Sequence, residues 1–279
     1  MEPIIYSSQD ADAPQLSSTV GTLNTVLKSC LVTGYGDKPA AGWEIAHEDT
    51  ATHKVVLRSS NVQKNMCVVE LNITNASYAS ITAYSDWDDS SSSGVAQFGT
   101  GYIVNNYKTS TPRWAVIATD SFCYVYIQAE ADSSSYILNA FGTAISHDTT
   151  NDIAILMAVP DTAYSYSHVT PTTVNTNLGD ARFPTLPFKH KNDYGFGDWS
   201  DVVMSDMAIL SGYVLYVEDK PLLSLPGALM THAYIRRWTW GSIDGNMATL
   251  VNQEPLLNDV VAFWIPWAGR FWIHTDDWG

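Results

Sequence analysis

The chain has 279 residues, with 14 basic against 29 acidic side chains and a formal charge of −15. That balance excludes broad phosphate-backbone binding, which needs clustered Lys and Arg to displace counterions, and an apolar content of 46% excludes wholesale disorder. Charged residues reach only 15%, below the usual ~25%, so Ser, Thr and Asn supply much of the polar surface, while ten Trp and fifteen Tyr need a core or an interface to cover them.

The length suits one large β domain or two ordinary domains. The first predicted element is an amphipathic helix. Leu16, Val20, Leu23, Leu27 and Leu31 recur at steps of four, three, four and four, which makes one apolar stripe. Ser17 or Ser18 can cap its start, and Gly34 with Gly36 supplies the stop. Such a helix needs a sheet to cover, and from about Trp43 the period changes to two. In 66–73, Cys67, Val69, Leu71 and Ile73 share one face while Glu70 and Asn72 point the other way. In 122–129, Cys123, Val125, Ile127 and Ala129 oppose Phe122, Tyr124, Tyr126 and Gln128. Both of those faces are apolar, which predicts a central strand covered on both sides.

Further strands are predicted at 55–58, 80–84, 101–105, 113–118, 135–141 and 152–158. They are short, close together and separated by Gly, Ser, Asn and Asp clusters, the pattern of an antiparallel sandwich or barrel. The expected fold class is therefore all-β, with one N-terminal amphipathic α-helix. Residues 86–94, Asp-Trp-Asp-Asp followed by four serines and Gly94, read as a polar loop. Residues 161–193 show no periodicity, and a structureless stretch of that length is uncommon inside a compact domain. It is either an arm lying on a neighbouring subunit or a loop packed on its own chain.

Strands return at 211–217, at 234–240 (ending at Gly241), and at 260–265 paired with 270–274 across Pro266-Trp-Ala-Gly269. Six of the ten Trp fall in the last 42 residues, with Trp238 and Trp240 on one face of their strand. The chain thus divides into 1–160, helix plus sandwich; 161–195, arm or long loop; and 196–279, a Trp-rich β region either separate from the first or continuous with it.

Cys30, Cys67 and Cys123 are odd in number and far apart, without C-x-x-C or zinc spacing, and read as buried thiols of a reduced chain. The opening Met1-Glu-Pro-Ile-Ile-Tyr6 lacks the basic and apolar regions of a signal peptide. The longest apolar run, 153–159, is far short of the ~20 residues that cross a bilayer. The expectation is a chain made without secretion and with no membrane partner.

No pattern carries catalytic chemistry. Asp86, Asp88 and Asp89 could offer oxygens to Ca²⁺, but the ligand order and closing Glu of an EF-hand are missing, and a solvated turn accounts for them better. His47-Glu48-Asp49 sit side by side on a strand and so point to opposite faces. The remaining histidines are scattered, and neither a G-x-S-x-G elbow nor a P-loop occurs. The Trp cluster leaves three readings open: core, subunit contact, or a platform on which host glycans stack.

Two stretches carry a family resemblance. One is Tyr6-Ser-Ser-Gln-Asp-Ala-Asp-Ala-Pro-Gln-Leu16, continued through the helix to Cys30-Leu-Val-Thr-Gly-Tyr-Gly36; the other is Lys38-Pro-Ala-Ala-Gly-Trp43-Glu with the strand Lys54-Val-Val-Leu-Arg58. Together they resemble the start of a family of tailed-bacteriophage virion structural proteins. Those open with Tyr-Ser-Ser-Thr-Asp-Ala-Gly-Ala-Pro, then a helix ending in Asn-Gly-Tyr-Gly and an Ala-Gly-Trp-Thr strand. The match runs over residues 5–58 and departs at Gln9 and Asp12.

The resemblance implies a non-enzymatic virion component with no cofactor, acting as a homo-oligomer among other capsid, neck or tail proteins. Head decoration, neck, tail and baseplate remain open. Its net negative charge suits a place outside the packaged DNA. The candidate interface residues are Tyr6 and Leu16, then Phe183 and Phe188 of the 161–193 passage, then Trp264, Trp267 and Trp272. On this reading, deleting residues 1–16 impairs incorporation without unfolding the β region. A receptor- or glycan-binding module of the virion is the alternative, and a glycan hydrolase a more remote one.

Overall fold

The computed structural model describes residues 2–60, 68–73, 78–104, 112–128, 136–146, 153–157, 174–177, 189–192, 195–196, 210–217, 220–231, 240–244, 247–250, 260–265, 269–274 and 278. Within them the period-two stretches pair as two antiparallel sheets. After β1 (Ile4–Ser7), the smaller sheet takes five strands in chain order: β2 (Glu44–Asp49), β3 (Lys54–Arg58), β4 (Val68–Asn72), β5 (Tyr78–Asp88) and β6 (Ser93–Val104). The larger sheet begins with β1 beside β7 (Arg113–Ala118), then β8 (Phe122–Gln128) and β9 (Tyr136–Ser146), which also pairs with β10 (Ile153–Met157). To β10 is added β11 (Val174–Asn177). The C-terminal strands are β12 (Lys189–Asn192), β13 (Gly195–Phe196), β14 (Leu210–Val217), β15 (Lys220–Thr231), β16 (Trp240–Asp244), β17 (Met247–Leu250), β18 (Val260–Ile265) and β19 (Gly269–His274). They extend the larger sheet from β9 through β15, β19, β18 and β17 to β16.

The apolar faces of the two sheets meet. Val55 and Leu57, Val69 and Leu71, and Ala79, Ile81 and Ala83 come from the smaller sheet. Val116 and Ala118, Cys123, Val125 and Ile127, and Phe141 come from the larger. The protein is thus an all-β, sandwich-like fold with one short helical segment. The β8 strand is central, as its two apolar faces predict, and residues 122 to 127 are all buried. Its Cys123, Val125 and Ile127 line the sandwich interior. On the opposite face, Phe122 and Tyr124 meet Trp278 edge-on at 6.4 and 5.6 Å, and the Tyr124 hydroxyl donates to the Pro226 carbonyl at 2.7 Å. Pro226 and Trp278 from the C-terminal third therefore contact the second face of β8.

The helix is shorter than its stripe. It runs Thr22–Lys28 and widens into a π-turn, Ser29–Thr33, so Leu16 and Val20 precede it. Gly21, not Ser17 or Ser18, occupies the N-cap, without a side-chain cap. The local hydroxyls explain the late start: Thr22 Oγ1 donates to the Ser17 carbonyl at 2.7 Å, and Ser17 Oγ accepts the Thr19 N–H at 3.2 Å. These residues close a turn instead of a helix. The buried stripe is Leu23, Val26, Leu27, Cys30 and Leu31, each large aliphatic member of which is worth roughly 1.5–3 kcal/mol of burial. The stop falls at Gly34, with φ 75°. The last helical carbonyls are satisfied by the returning chain, since Ala41 N–H donates to Cys30 and Trp43 N–H to Leu31 at 3.0 and 2.9 Å.

Two further expectations change and one open alternative narrows. Residues 86–94 form the end of a hairpin, because β5 and β6 pair down to Asp88↔Ser93 and leave a four-residue turn. Of 161–193, the described parts pair with their own chain: β11 along β10 and β12 along β13 and β14. Strand β16 continues through Gly241, where a stop is predicted. Residues 234–239 lie outside the described residues.

Both Cys30 and Cys123 are free and buried, and burial raises each thiol well above its ordinary range. Thiolate is the reactive form, so neither should react in the folded state. Cys67 lies outside the described residues. In a Cys67→Ala variant, Ellman's reagent is expected to titrate no thiol until denaturant is added. Rapid native labelling would contradict the burial.

Asn139 on β9 is fully buried opposite Val125, and neither amide atom has a hydrogen-bond partner among the described residues. An unmet buried amide costs about 1–3 kcal/mol. The near-isosteric Asn139→Leu is expected to raise the midpoint of urea unfolding; a lowered midpoint would show that the amide is satisfied.

Candidate functional site

The residues that carry the family resemblance converge on one structure, a clasp between the N-terminal segment and the loop after the helix. Strand β1 pairs with the edge of β7, from Ile4↔Ala118 to Ser7↔Ala115. The Tyr6 side chain is buried, and its hydroxyl donates to the Pro39 carbonyl at 2.7 Å. Beyond β1 the chain turns so that the Asp10 carboxylate accepts the Ser7 N–H and the Tyr35 hydroxyl, both at 2.8 Å. Lys38 Nζ lies 3.7 Å from Asp10 and donates to the Ile5 carbonyl at 3.0 Å. The Tyr35 ring is tilted against Tyr6 at 5.9 Å and meets Trp114 edge-on at 6.3 Å. Trp114 Nε1 in turn donates to the Pro14 carbonyl at 3.2 Å.

The electrostatics of the clasp hold both phenols neutral. Burial, with Cys30 and Cys123 nearby, pushes the Tyr6 hydroxyl well up. Burial, then the bond to Asp10, does the same to Tyr35. Both therefore stay donors at any physiological pH. The glycines of the Gly-Tyr-Gly motif are required sterically: a Cβ on Gly34 (φ 75°) would stand 2.5 Å from the Lys38 carbonyl oxygen, and one on Gly36 (φ 52°) 2.9 Å from that of Ala11. Trp43 of the Ala-Gly-Trp motif donates its Nε1–H to the Thr119 carbonyl at 2.8 Å and meets Phe141 edge-on.

Asp12 is left-handed, with φ 61°. This is the position at which the resembled family carries Gly, the residue that tolerates such backbone best. Asp12→Gly is expected to leave thermal stability unchanged or slightly raised, while Asp12→Val loses roughly 1–2 kcal/mol. Equal effects of the two would show that the left-handed backbone is not what this position demands.

Two of the candidate interface residues are corrected by this geometry. Tyr6 and Leu16, at 0% and 3% exposure, are core residues of their own chain and present no side chain to a partner. Phe183, Phe188 and Trp267 lie outside the described residues. Trp264 sits opposite Arg270, and Trp272 opposite Ala262 on β18 and Leu229 on β15. Of the six C-terminal Trp, Trp278 has a settled place as a buried cover for Phe122 and Tyr124.

The candidate acidic residues have local structural work. Asp88 accepts from the Ser90 N–H and the Ser90 and Ser91 hydroxyls at 2.6 to 2.9 Å, which lowers its carboxyl to about 2. His47, Glu48 and Asp49 diverge as expected: the His47 ring lies 5.8 Å from Trp87, Glu48 pairs with Lys28, and Asp49 accepts from Thr52 and Ala51. A polar groove beside the clasp, between Gln9, Pro14, Gln15, Pro112 and Arg113, holds about 240 Å³. That is below the ~300–1,000 Å³ usual for small-molecule sites.

Two sheet edges remain as surfaces. Strands β2 and β6 are the outermost strands of the smaller sheet, and the large apolar side chains exposed among the described residues are Ile45 on β2 and Val95 on β6, at 37% and 44%. Periodicity missed Asp10, Tyr35, Lys38 and Trp114, because the bonds between Tyr35 and Asp10, Lys38 and Ile5, and Trp114 and Pro14 span 25, 33 and 100 residues. No known protein-family model matches this chain, and no curated protein matches it significantly.

Proposed function

We propose that the chain is a non-enzymatic structural component of a tailed-phage virion, in head decoration, neck or tail, working through oligomeric assembly. The observation that carries this reading is the left-handed backbone at Asp12, the position where the resembled family has Gly. An alignment made on letters alone predicts no backbone angle, so the coincidence is independent support for the resemblance. The clasp adds to it, because the Tyr6, Asp10, Gly34, Tyr35 and Gly36 positions of the motif interlock and are not scattered. Among the described residues, the carboxylates of Asp10, Asp49 and Asp88 each close a local turn, a structural employment consistent with assembly.

Particles purified from the source lysate decide the matter. The chain's peptides are expected in them at a fixed ratio to the major capsid protein, and antibodies against it are expected to label one location on the particle. Purified infectious particles free of the chain would overturn the reading.

A further inference from the structure

The hairpin of β5 and β6 changes character part-way along. Toward its base it belongs to the smaller sheet, where β5 pairs with β4 from Asn72↔Ser80 to Val68↔Tyr84. Past Tyr84 it runs on without β4, and its own ladder breaks. Ala83 pairs with Gly99 but Tyr84 with Gln97, which leaves Phe98 as an extra residue on β6. The register then passes from Tyr84↔Gln97 to Asp86↔Val95 without pairing Ser85 and Ala96, and Ala96 is left-handed at φ 49°. Among the described residues, the side-chain hydrogen bonds of the tip, 85–96, stay within it. The Ser85 hydroxyl donates to the Val95 carbonyl, Asp86 accepts the Trp87 N–H, and Asp88 accepts from Ser90 and Ser91.

One side chain of the tip reaches the other strands. Trp87 is buried on the outer face of the smaller sheet against Val56 and Val68, with the His47 and Tyr84 rings at 5.8 and 6.1 Å. This cluster is separate from the sandwich interior, to which Val55, Leu57 and Val69 of the same strands belong. Closure carries two costs. The Trp87 Nε1–H is buried without an acceptor, and Ala96 holds a backbone that its Cβ disfavours. Charge does not hold the tip down either, since it carries Asp86, Asp88 and Asp89 on a chain of −15.

We infer that residues 85–96 are a hinged lid, turning at Ser85 and Ala96, which opens to uncover Val56 and Val68 while the sandwich stays folded. A small satellite cluster opens at a lower free energy than a main core. Opening relieves both costs, because the indole N–H reaches water and Ala96 is released from its left-handed backbone. The lid does not rest on the virion reading.

Neighbouring residues on opposite faces test it in the full chain. In a Cys67→Ala background, Val56→Cys puts a thiol under the lid and Val55→Cys puts one in the interior. Ellman's reagent is expected to label Val56→Cys faster by roughly tenfold or more, at a rate that low urea leaves unchanged. Ala96→Gly, which eases the left-handed backbone, is expected to slow that labelling, and Ala96→Val to speed it by roughly fivefold or more. Neither should change labelling of Val55→Cys. In the unaltered chain, the Trp87 indole N–H is expected to exchange with deuterium before the backbone amides of 123–127, which gives a readout free of cysteine substitutions. Equal labelling at the two positions, a thiol at 56 silent until the chain unfolds, indifference to both Ala96 variants, or indole exchange no faster than that of 123–127 would each overturn the lid.

Discussion

A chain lacking residues 1–16 is expected not to fold. The segment reads in sequence as a detachable contact arm, whose loss impairs incorporation and spares the β region. Its place in the clasp reverses that expectation. Truncation strips β1 from the edge of β7 and removes Tyr6 and Leu16 from the core, together with the Asp10 carboxylate that ties Tyr35 and Lys38. Removing a buried aromatic costs about 3–5 kcal/mol and a buried Leu about 2–5. The sum meets the 5–15 kcal/mol that holds a typical domain together.

Point variants grade the same effect. Tyr6→Phe removes only the hydroxyl bond to Pro39, a loss of about 0.5–1.5 kcal/mol plus the cost of an unmet carbonyl. Tyr6→Ala loses about 3–5 kcal/mol. Circular dichroism melts and proton NMR dispersion check all three. A truncated chain with native dispersion would restore the arm, and with it Tyr6 and Leu16 as candidates for partner contact.

What could be seen in the sequence follows from how local each signal is. Strand β7 falls at residues 113–118 as predicted, and β18 pairs with β19 as predicted, with Gly269 joining the strand opposite Ile265, because alternation and a turn lie within a few residues of each other. Strand β15 was not legible, since Pro221 and Pro226 argue against a strand. The sheet accommodates Pro226 between two paired stretches: Leu223 and Ser224 bond β9, Ala228 and Leu229 bond β19, and Pro226 contributes its carbonyl to Tyr124. The Asp- and Ser-rich run at 86–94 reads as loop by composition. It is held as a hairpin by packing that composition does not show, with Trp87 buried against Val56 and Val68 and the Tyr84 ring lying over Gly94.

The clasp was legible only through resemblance. Tyr35 and Asp10 are separated by 25 residues, Tyr6 and Pro39 by 33, and Trp114 and Pro14 by 100. No periodicity links such pairs, yet Gly34 and Gly36 beside them each mark a backbone approach that a side chain would block. The resemblance therefore identifies the part of the molecule that builds the fold.

The second large effect belongs to Gly142, in the middle of β9. Its φ is 132°, and a Cβ there would stand 2.3 Å from the Ser121 carbonyl oxygen and 2.6 Å from Phe122 Cα. Both are backbone atoms at the start of β8, so no side-chain rotation relieves the clash. The same residue pairs with Phe122 on one side and Ile155 on the other, which leaves β9 no room to withdraw. Overpacking of this kind costs typically 1–3 kcal/mol, and left-handed strain in a residue with a Cβ adds about 1–2. Gly142→Ala is therefore expected to lose roughly 2–5 kcal/mol by denaturant unfolding. Gly94→Ala provides the contrast, because its added methyl meets the Tyr84 ring, at 2.2 Å, and a side chain can swing outward where backbone cannot. Gly94→Ala is expected to cost less than Gly142→Ala, and Tyr84→Ala in the same chain to recover part of the loss. If Gly142→Ala melts like the parent, β8 and β9 do not approach as closely as this sandwich requires, and the cover that Trp278 lays over Phe122 would have to be placed anew.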